Sequence, residues 1–407
     1  MRRILLLLPT HSYSASDFLA AGERAGAEVI VGSEKAQALS HLAPGRTVVI
    51  PFADPDEAAR RIESLAVDRP LQAVVPTDDR TAAVAARASA RLGLPGNPPE
   101  SVAAARDKAL SRARFRSAGL PAPRDEVFDL DGESSAEPAK LSWPVVLKPL
   151  SLSMSRGVIR ADDAVAYRAA RARLGRILAD VGAGSRFLVE EYIPGDEVAV
   201  EGLLTGGRFT MLAMFDKPDP LEGPFFEETI YVTPSRKPMG QQDAIADTVA
   251  RGCAALGLMH GPVHAEVRIN DKGFWPLEIA PRQIGGLCSR TLRFGLGVSL
   301  EELIVRHALG EAVPELARRS LQGQGAGVMM LPIPGRGRLA GVEGVDAARG
   351  VPLIEDVVIT IPAGQPVVPL PEGDRYLGFL FARGGPPEAI EAALRAAHAA
   401  LTIRIEA

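Results

Sequence analysis

The sequence predicts a multidomain α/β protein that begins with an open parallel sheet and ends in a small α+β unit. Three observations carry this prediction. Short apolar stretches alternate with helical ones through the first hundred or so residues, the pattern of parallel strands joined by crossover helices. At 407 residues the chain is too long for one ordinary core. The segment 327–407 returns to strands and finishes on a helix.

Taken in order, Ile4–Pro9 reads as a buried strand and Ala15–Ala25 as a helix. Glu28–Val31 and Val48–Pro51 are strands, Asp54–Leu65 a helix, and Ala73–Pro76 a strand. Thr81–Leu92 is a helix stopped by Gly93. The turn residues Thr10–Ser14 and Thr77, Asp78 and Asp79 fall at carboxyl ends of strands, where open α/β sheets bind ligands. Leu94–Pro99 is a turn-rich break. One helix is expected over Pro99–Ala118, then a polar surface loop over Asp131–Ala139. Residues 141–310 mix strands and helices. The closing unit has strands at Val328–Leu331, Val357–Ile361 and Leu377–Ala382 and a helix at Pro387–Ala400. The expected domains are 1–98, 99–312 and 313–407, with 141–184 as a mobile lid lobe inside the second.

Composition excludes several classes. Hydrophobic residues make up 46% and charged residues 24%, with a net charge of −4 and a pI of 6.0. A nucleic-acid partner needs a basic face that this balance does not offer. The apolar run Ile4–Leu8 is too short for a membrane span or a secretory core and reads as the first strand. Cys253 and Cys288 form neither a disulfide framework nor a metal pattern. A cytoplasmic protein without nucleic-acid or membrane partners is expected. Lysine is scarce, so the setting of each one is informative.

Four clusters carry chemistry. Arg106-Asp107-Lys108 lies on the helix after the break, and Lys148 ends the apolar strand Val145–Leu147 before Pro149. Lys148 reads either as a snorkelling edge residue or, with Lys108, as a point charge for nucleotide phosphates. The small-residue loop Ser151–Gly157, with Ser153, Ser155 and Arg156, can turn N–H groups and hydroxyls onto phosphates, or be a plain hairpin loop. Phe187–Ile193 crosses into a hinge at Glu190-Glu191-Tyr192-Ile193 and returns after Pro194-Gly195, with Glu197 following. Its backbone can read an adenine edge, and Glu197 can accept ribose hydroxyls; the other reading is an acidic hairpin with a solvated face. Last comes a hairpin turning at Asn270-Asp271-Lys272-Gly273. It sets Glu266 near Glu278, either as a Mg²⁺ site with phosphates or as two unrelated surface glutamates. Arg282 follows four residues on, placed to steady charge on a phosphoryl group. Tyr231, His264 and Arg293 are candidates for substrate contact.

In this order the clusters resemble the ATP-grasp superfamily, over about 106–310 directly. The resemblance implies an ATP-grasp fold using ATP and Mg²⁺, with Mn²⁺ as a substitute. It implies Lys108 and Lys148 on phosphates, Glu190, Glu191, Tyr192 and Ile193 at adenine, Glu197 at ribose, and Glu266 and Glu278 on the metal. Within the superfamily the chain looks most like the L-amino-acid (dipeptide) ligases. The tail Tyr376-Leu377-Gly378-Phe379-Leu380-Phe381-Ala382-Arg383-Gly384 is similar to their C-terminal domain. Pro224–Tyr231 is similar to their substrate-side segment, in which a glutamate, here Glu228, reaches the metal. Two departures stand out: Ala280 where the family often has a metal-binding asparagine, and Ile230-Tyr231 where it commonly has Gly-His. The implied activity is an ADP-forming ligase joining a small carboxylate to an amine through an acyl phosphate, as a monomer or homodimer. The alternatives are a biotin-carboxylase-like or purine-biosynthesis enzyme, or a nucleotide-binding protein without turnover.

Overall fold

The computed structural model describes residues 2–10, 12–35, 45–131, 137–294, 297–312 and 325–406. Its first sheet has four parallel strands in the order Thr47–Val49, Glu28–Ser33, Arg3–Leu7, Ala73–Pro76. Ile4 to Leu7 are fully buried, as a parallel strand covered on both faces requires. The helix Asp79–Leu92 starts at the carboxyl end of Ala73–Pro76. Asp78 caps it, accepting from the Thr81 N–H at 2.8 Å, and Gly93 closes it at φ 64°. This fixes Asp79 at the edge of the next domain.

The single helix expected over Pro99–Ala118 is two helices, Pro99–Arg106 and Lys108–Ser117. Asp107 leaves helical geometry (φ −90°, ψ 108°) and its side chain caps the second helix through the Leu110 N–H at 3.0 Å. The Arg-Asp-Lys triplet is therefore a junction. Lys108 opens the second helix and donates its backbone N–H to the Leu150 carbonyl at 3.1 Å.

Residues 125–191 hold a four-stranded antiparallel sheet in the order Asp125–Asp129, Arg186–Glu191, Val145–Pro149, Ile159–Ala161. The helix Ala164–Val181 covers it, capped by Asp163 and stopped at Gly182. Much of the polar loop expected over 131–139 lies outside the described residues, as does the start of the segment expected from 313.

The largest sheet has eight antiparallel strands in the order Gly273–Ala280, Gly261–Asn270, Asp196–Thr205, Arg208–Lys217, Ile230–Thr233, Gly325–Leu331, Gly378–Gly385, Ile354–Ile359. Its last three strands come from the C-terminal segment and continue the middle region's sheet through the pairing of Tyr231 with Val328. The hinge after Glu191 lies hard against this sheet. A Cβ at Gly195 (φ 129°) would sit 2.0 Å from the Ile269 carbonyl oxygen, so only glycine fits. Among the described residues no helix is long and apolar enough to cross a membrane.

Candidate active site

The lobe of residues 125–191 faces the eight-stranded sheet across an open cavity. Most of the residues singled out in the sequence line it: Lys108, Lys148, Ser153, Ser155, Glu190, Glu191, Tyr192, Ile193, Glu197, Glu228, Tyr231, His264, Glu266, Glu278 and Arg282. Three do not. Arg156 turns to Asp374 at 3.2 Å, and the Gly157 N–H donates to the Pro371 carbonyl at 2.9 Å. Arg293 lies on a separate short strand and donates to the Leu292 carbonyl at 2.9 Å.

The lysine at the end of the apolar strand is not a snorkelling residue. Lys148 Nζ lies 2.5 Å from Glu190, and Glu190 also accepts from Arg112 Nε at 2.8 Å. Arg112 is fully buried. Burial opposes ionisation of Glu190, yet Arg112 and Lys148 outweigh it and hold its carboxyl down at about 2. Burial, aided by Arg112 and Lys108, lowers Lys148 despite Glu190. The Glu190 side chain is thus committed to two cations, so only the hinge backbone is left for an adenine edge. There, the Glu191 and Tyr192 N–H groups donate to the Arg124 and Pro144 carbonyls at 3.0 and 2.9 Å. The Ile193 N–H has no partner among the described residues. Lys108 Nζ donates to the Leu152 carbonyl at 2.9 Å, which ties the junction helix to the small-residue loop.

Glu266 and Glu278 are register partners across the hairpin, as the turn requires, but the register shifts just past Glu266 and their carboxylates go separate ways. Glu278 lies 3.7 Å from both Lys108 and Arg282. Glu266 joins Glu228 and Glu197, whose oxygens lie within 4.8 Å of one another. Lys217 binds all three: Glu197 at 2.7 Å, Glu266 at 3.1 Å, and Glu228 closer still. Burial works against its charge, but the three carboxylates raise its pKa well above the ordinary value. In the same group Glu228 is pushed up by burial and by Glu266. One ammonium does not exhaust the lone pairs of three carboxylates, so the donor set fits a hard divalent cation. Sequence reasoning missed Lys217. The signal was there: Lys217-Pro218 ends the apolar stretch Met211–Phe215 much as Lys148-Pro149 ends Val145–Leu147.

Arg282 is held from another domain. Its Nε lies 3.0 Å from Asp79, at the start of the N-terminal domain's helix. Burial resists the charge on Asp79, but Arg282 keeps its carboxyl below the usual range. His264 Nδ1 lies 2.5 Å from Glu201, whose other oxygen accepts the Ile284 N–H at 3.0 Å. Burial disfavours the imidazolium, yet Glu201 and Glu266 raise its pKa to about 9. At neutral pH it is a cation and not a free base. Tyr231, another of the residues expected at substrate, is buried, and burial with the nearby Glu228 and Glu266 raises its hydroxyl well above the ordinary value.

A family model of the ATP-grasp domain matches residues 141–291, the ATP-grasp N-terminal domain 19–96, and L-amino acid ligase C-terminal domain 2 329–406. Alanine–anticapsin ligase of Bacillus subtilis is 24% identical over 269 residues, covering 61% of this chain and 56% of that protein. Carnosine synthase 1 of Gallus gallus is 29% identical over 256 residues, covering 59% and 27%. The chain thus spans little more than half the length of the first of these relatives and less of the second. The crystal structure of L-amino acid ligase from Bacillus licheniformis superposes with a TM-score of 0.82 at 24% identity, over 100% of this chain and 99% of that one, which shows a common fold. The chain thus carries an ATP-grasp domain between an ATP-grasp N-terminal domain and an L-amino acid ligase C-terminal domain.

Proposed function

We propose that the chain is an ATP-dependent carboxylate–amine ligase acting on amino acids, releasing ADP and phosphate, with Mg²⁺ as its metal and Mn²⁺ as a substitute. The observation that carries this reading is the meeting, in one cavity, of Lys108 and Lys148 with the Glu197–Glu228–Glu266 group and Arg282. Cations from two sides of a cleft suit a polyphosphate, and clustered carboxylates suit its metal. The C-terminal match and relatives named alanine–anticapsin ligase and D-alanine–D-alanine ligase support amino-acid substrates.

In this reading Ile193 offers its N–H to adenine and Glu197 takes ribose hydroxyls. Ser153 and Ser155 approach the phosphates; Glu266 and Glu228, beside Glu197, would hold the metal, Glu278 would join them from its place by Lys108 and Arg282, and the metal would supply charge neutralisation at the phosphates. Arg282, fixed by Asp79, faces the charge that develops as a substrate carboxylate oxygen attacks the γ-phosphorus and ADP leaves. An amine then attacks the carbonyl carbon of the acyl phosphate, phosphate leaves, and the nitrogen gives up a proton. Holding both partners in one cleft supplies the positional advantage. Shielding by the lobe of residues 141–184 protects the acyl phosphate from water. The test is an ADP-release screen over pairs of amino acids, with mass detection of the amide. A pair that gives ADP and amide in equal amounts is expected; no ADP with any pair would overturn the reading.

A further inference from the structure

Arg268 lines the cavity beside the hinge, is only 3% exposed, and stands opposite Glu197 in the register of two neighbouring strands. Its guanidinium is turned wholly toward the hinge and the strand after it. Nε and Nη2 reach one oxygen of Glu197 at 3.2 and 2.8 Å. Nη1 donates to the Ile193 carbonyl at 2.9 Å, and Nη2 donates also to the Leu221 carbonyl at 3.0 Å. Two residues along the same strand, Asn270 donates to the Pro194 carbonyl at 2.8 Å. Two successive hinge carbonyls are thus held from the sheet, while the Ile193 N–H stays open. Glu197 is meanwhile pulled two ways. Its other oxygen lies 2.7 Å from Lys217, the ammonium that also binds Glu228 and Glu266. Lys217 draws it toward the metal-type carboxylates, and Arg268 draws it toward the hinge.

We propose that Arg268 is the positioning residue that assigns Glu197 to the sugar hydroxyls of the nucleotide, and not to the metal, and that sets the hinge to prefer adenine over a 6-oxo purine. The proposal rests on the ATP reading of the cavity and adds to it the residue on which base and sugar recognition depend. A carboxylate offers about four lone-pair sites. The Arg268 fork fixes the plane of Glu197 through one oxygen, and the oxygen beside Lys217 keeps a lone pair for a hydroxyl. The open Ile193 N–H is a donor, so the base edge that meets it must be an acceptor. Adenine N1 is an acceptor. A 6-oxo purine carries a hydrogen on N1, which would set two donors against each other and leave both unpaired. Arginine is needed because a lysine, as a single point charge, cannot span a carboxylate and two carbonyls at once. Holding these groups before the nucleotide arrives removes the cost of ordering them on binding.

Calorimetric titration of the full chain with Mg²⁺ and three nucleotides tests this: a non-hydrolysable ATP analogue, its 2′,3′-dideoxy form and its inosine counterpart. The wild type should prefer the first over each of the others at least tenfold. Arg268→Lys keeps the buried charge and loses the fork. It should weaken the ATP analogue at least tenfold and cut both preferences below threefold. Lys148→Met, which acts on the phosphates, should weaken all three alike and keep both preferences. Should Arg268→Lys fail to melt as a folded protein, Arg268→Gln is read in its place. No nucleotide bound by the wild type would defeat the ATP reading and this proposal with it. Nucleotide binding without either preference in the wild type, or with either preference intact in the folded Arg268 variant, would leave the ATP reading standing and overturn the proposal. Failure of both Arg268 variants to fold would overturn it too, because the residue would then serve stability and not recognition.

Discussion

Among single residues, the buried Arg112–Glu190–Lys148 trio carries the sharpest expectation. Removing the one anion leaves two cations unpaired in the interior, whereas removing Lys148 leaves Glu190 with Arg112. Glu190→Gln should therefore cost about 3–5 kcal/mol of stability, and Lys148→Met clearly less, by urea unfolding. A loss under about 1 kcal/mol in Glu190→Gln would contradict the pairing. Lys148→Met should instead weaken ATP by about 2 kcal/mol, roughly thirtyfold, and unaltered nucleotide affinity would remove Lys148 from the phosphate site. His264 gives a pH signature. Its folded pKa, about 9, is above the unfolded value, so its stabilisation is complete below about pH 6.5 and is lost as pH rises through 9. Thermal unfolding should show His264→Gln and wild type converging at alkaline pH; a constant gap would argue against a charged imidazole. The sequence exposed Lys148 and Glu266 because lysine before proline and a turn-registered hairpin are local signals. It marked Asp79 as a turn residue at a strand's carboxyl end but hid its pairing with Arg282, 203 positions away, and it hid Arg112, whose partner Glu190 is 78 positions away.

Among elements, the lobe built on the sheet from Asp125 to Glu191 and the helix Ala164–Val181 carries Lys148 and the small-residue loop. It rests on the C-terminal loop through Arg173, bidentate to Glu372 at 2.6 and 2.9 Å, and through Arg156 with Asp374. Ion pairs partly open to water hold weakly, so the contact suits a lobe that opens and closes. Hydrogen exchange at residues 150–158 should slow when Mg²⁺ and an ATP analogue are added, and Glu372→Ala should speed it in the free protein. Identical exchange in all three states would rule out a lid. The interdomain pair makes a second demand. Asp79→Asn should lower kcat about tenfold, about 1.4 kcal/mol, with little change in the KM for ATP, because it loosens Arg282 without touching the nucleotide. The hairpin at Asn270–Gly273 was legible from its turn residues. The break at Asp107 was not, because aspartate suits both a helix's first turn and its cap, and only the structure shows which was chosen.

For the molecule as a whole, the cavity is a product of assembly. The N-terminal domain gives Asp79, which holds the lining residue Arg282, the lobe gives Lys148, the central strands give the carboxylates, and the C-terminal loop gives Tyr376. Alternating strands and helices made the first sheet readable. That Tyr231 would pair with Val328 across nearly a hundred residues, fusing two expected domains into one sheet, has no local signal. The central claim is chemical: the carboxylate is activated by phosphorylation, at the end of the cavity where Arg282 and the carboxylates gather. It is tested most directly by giving the productive pair an acid labelled with ¹⁸O in its carboxylate and analysing the products by mass spectrometry. The account predicts ADP and inorganic phosphate carrying one ¹⁸O atom for each amide formed. AMP carrying the label, or phosphate without it, would contradict the account.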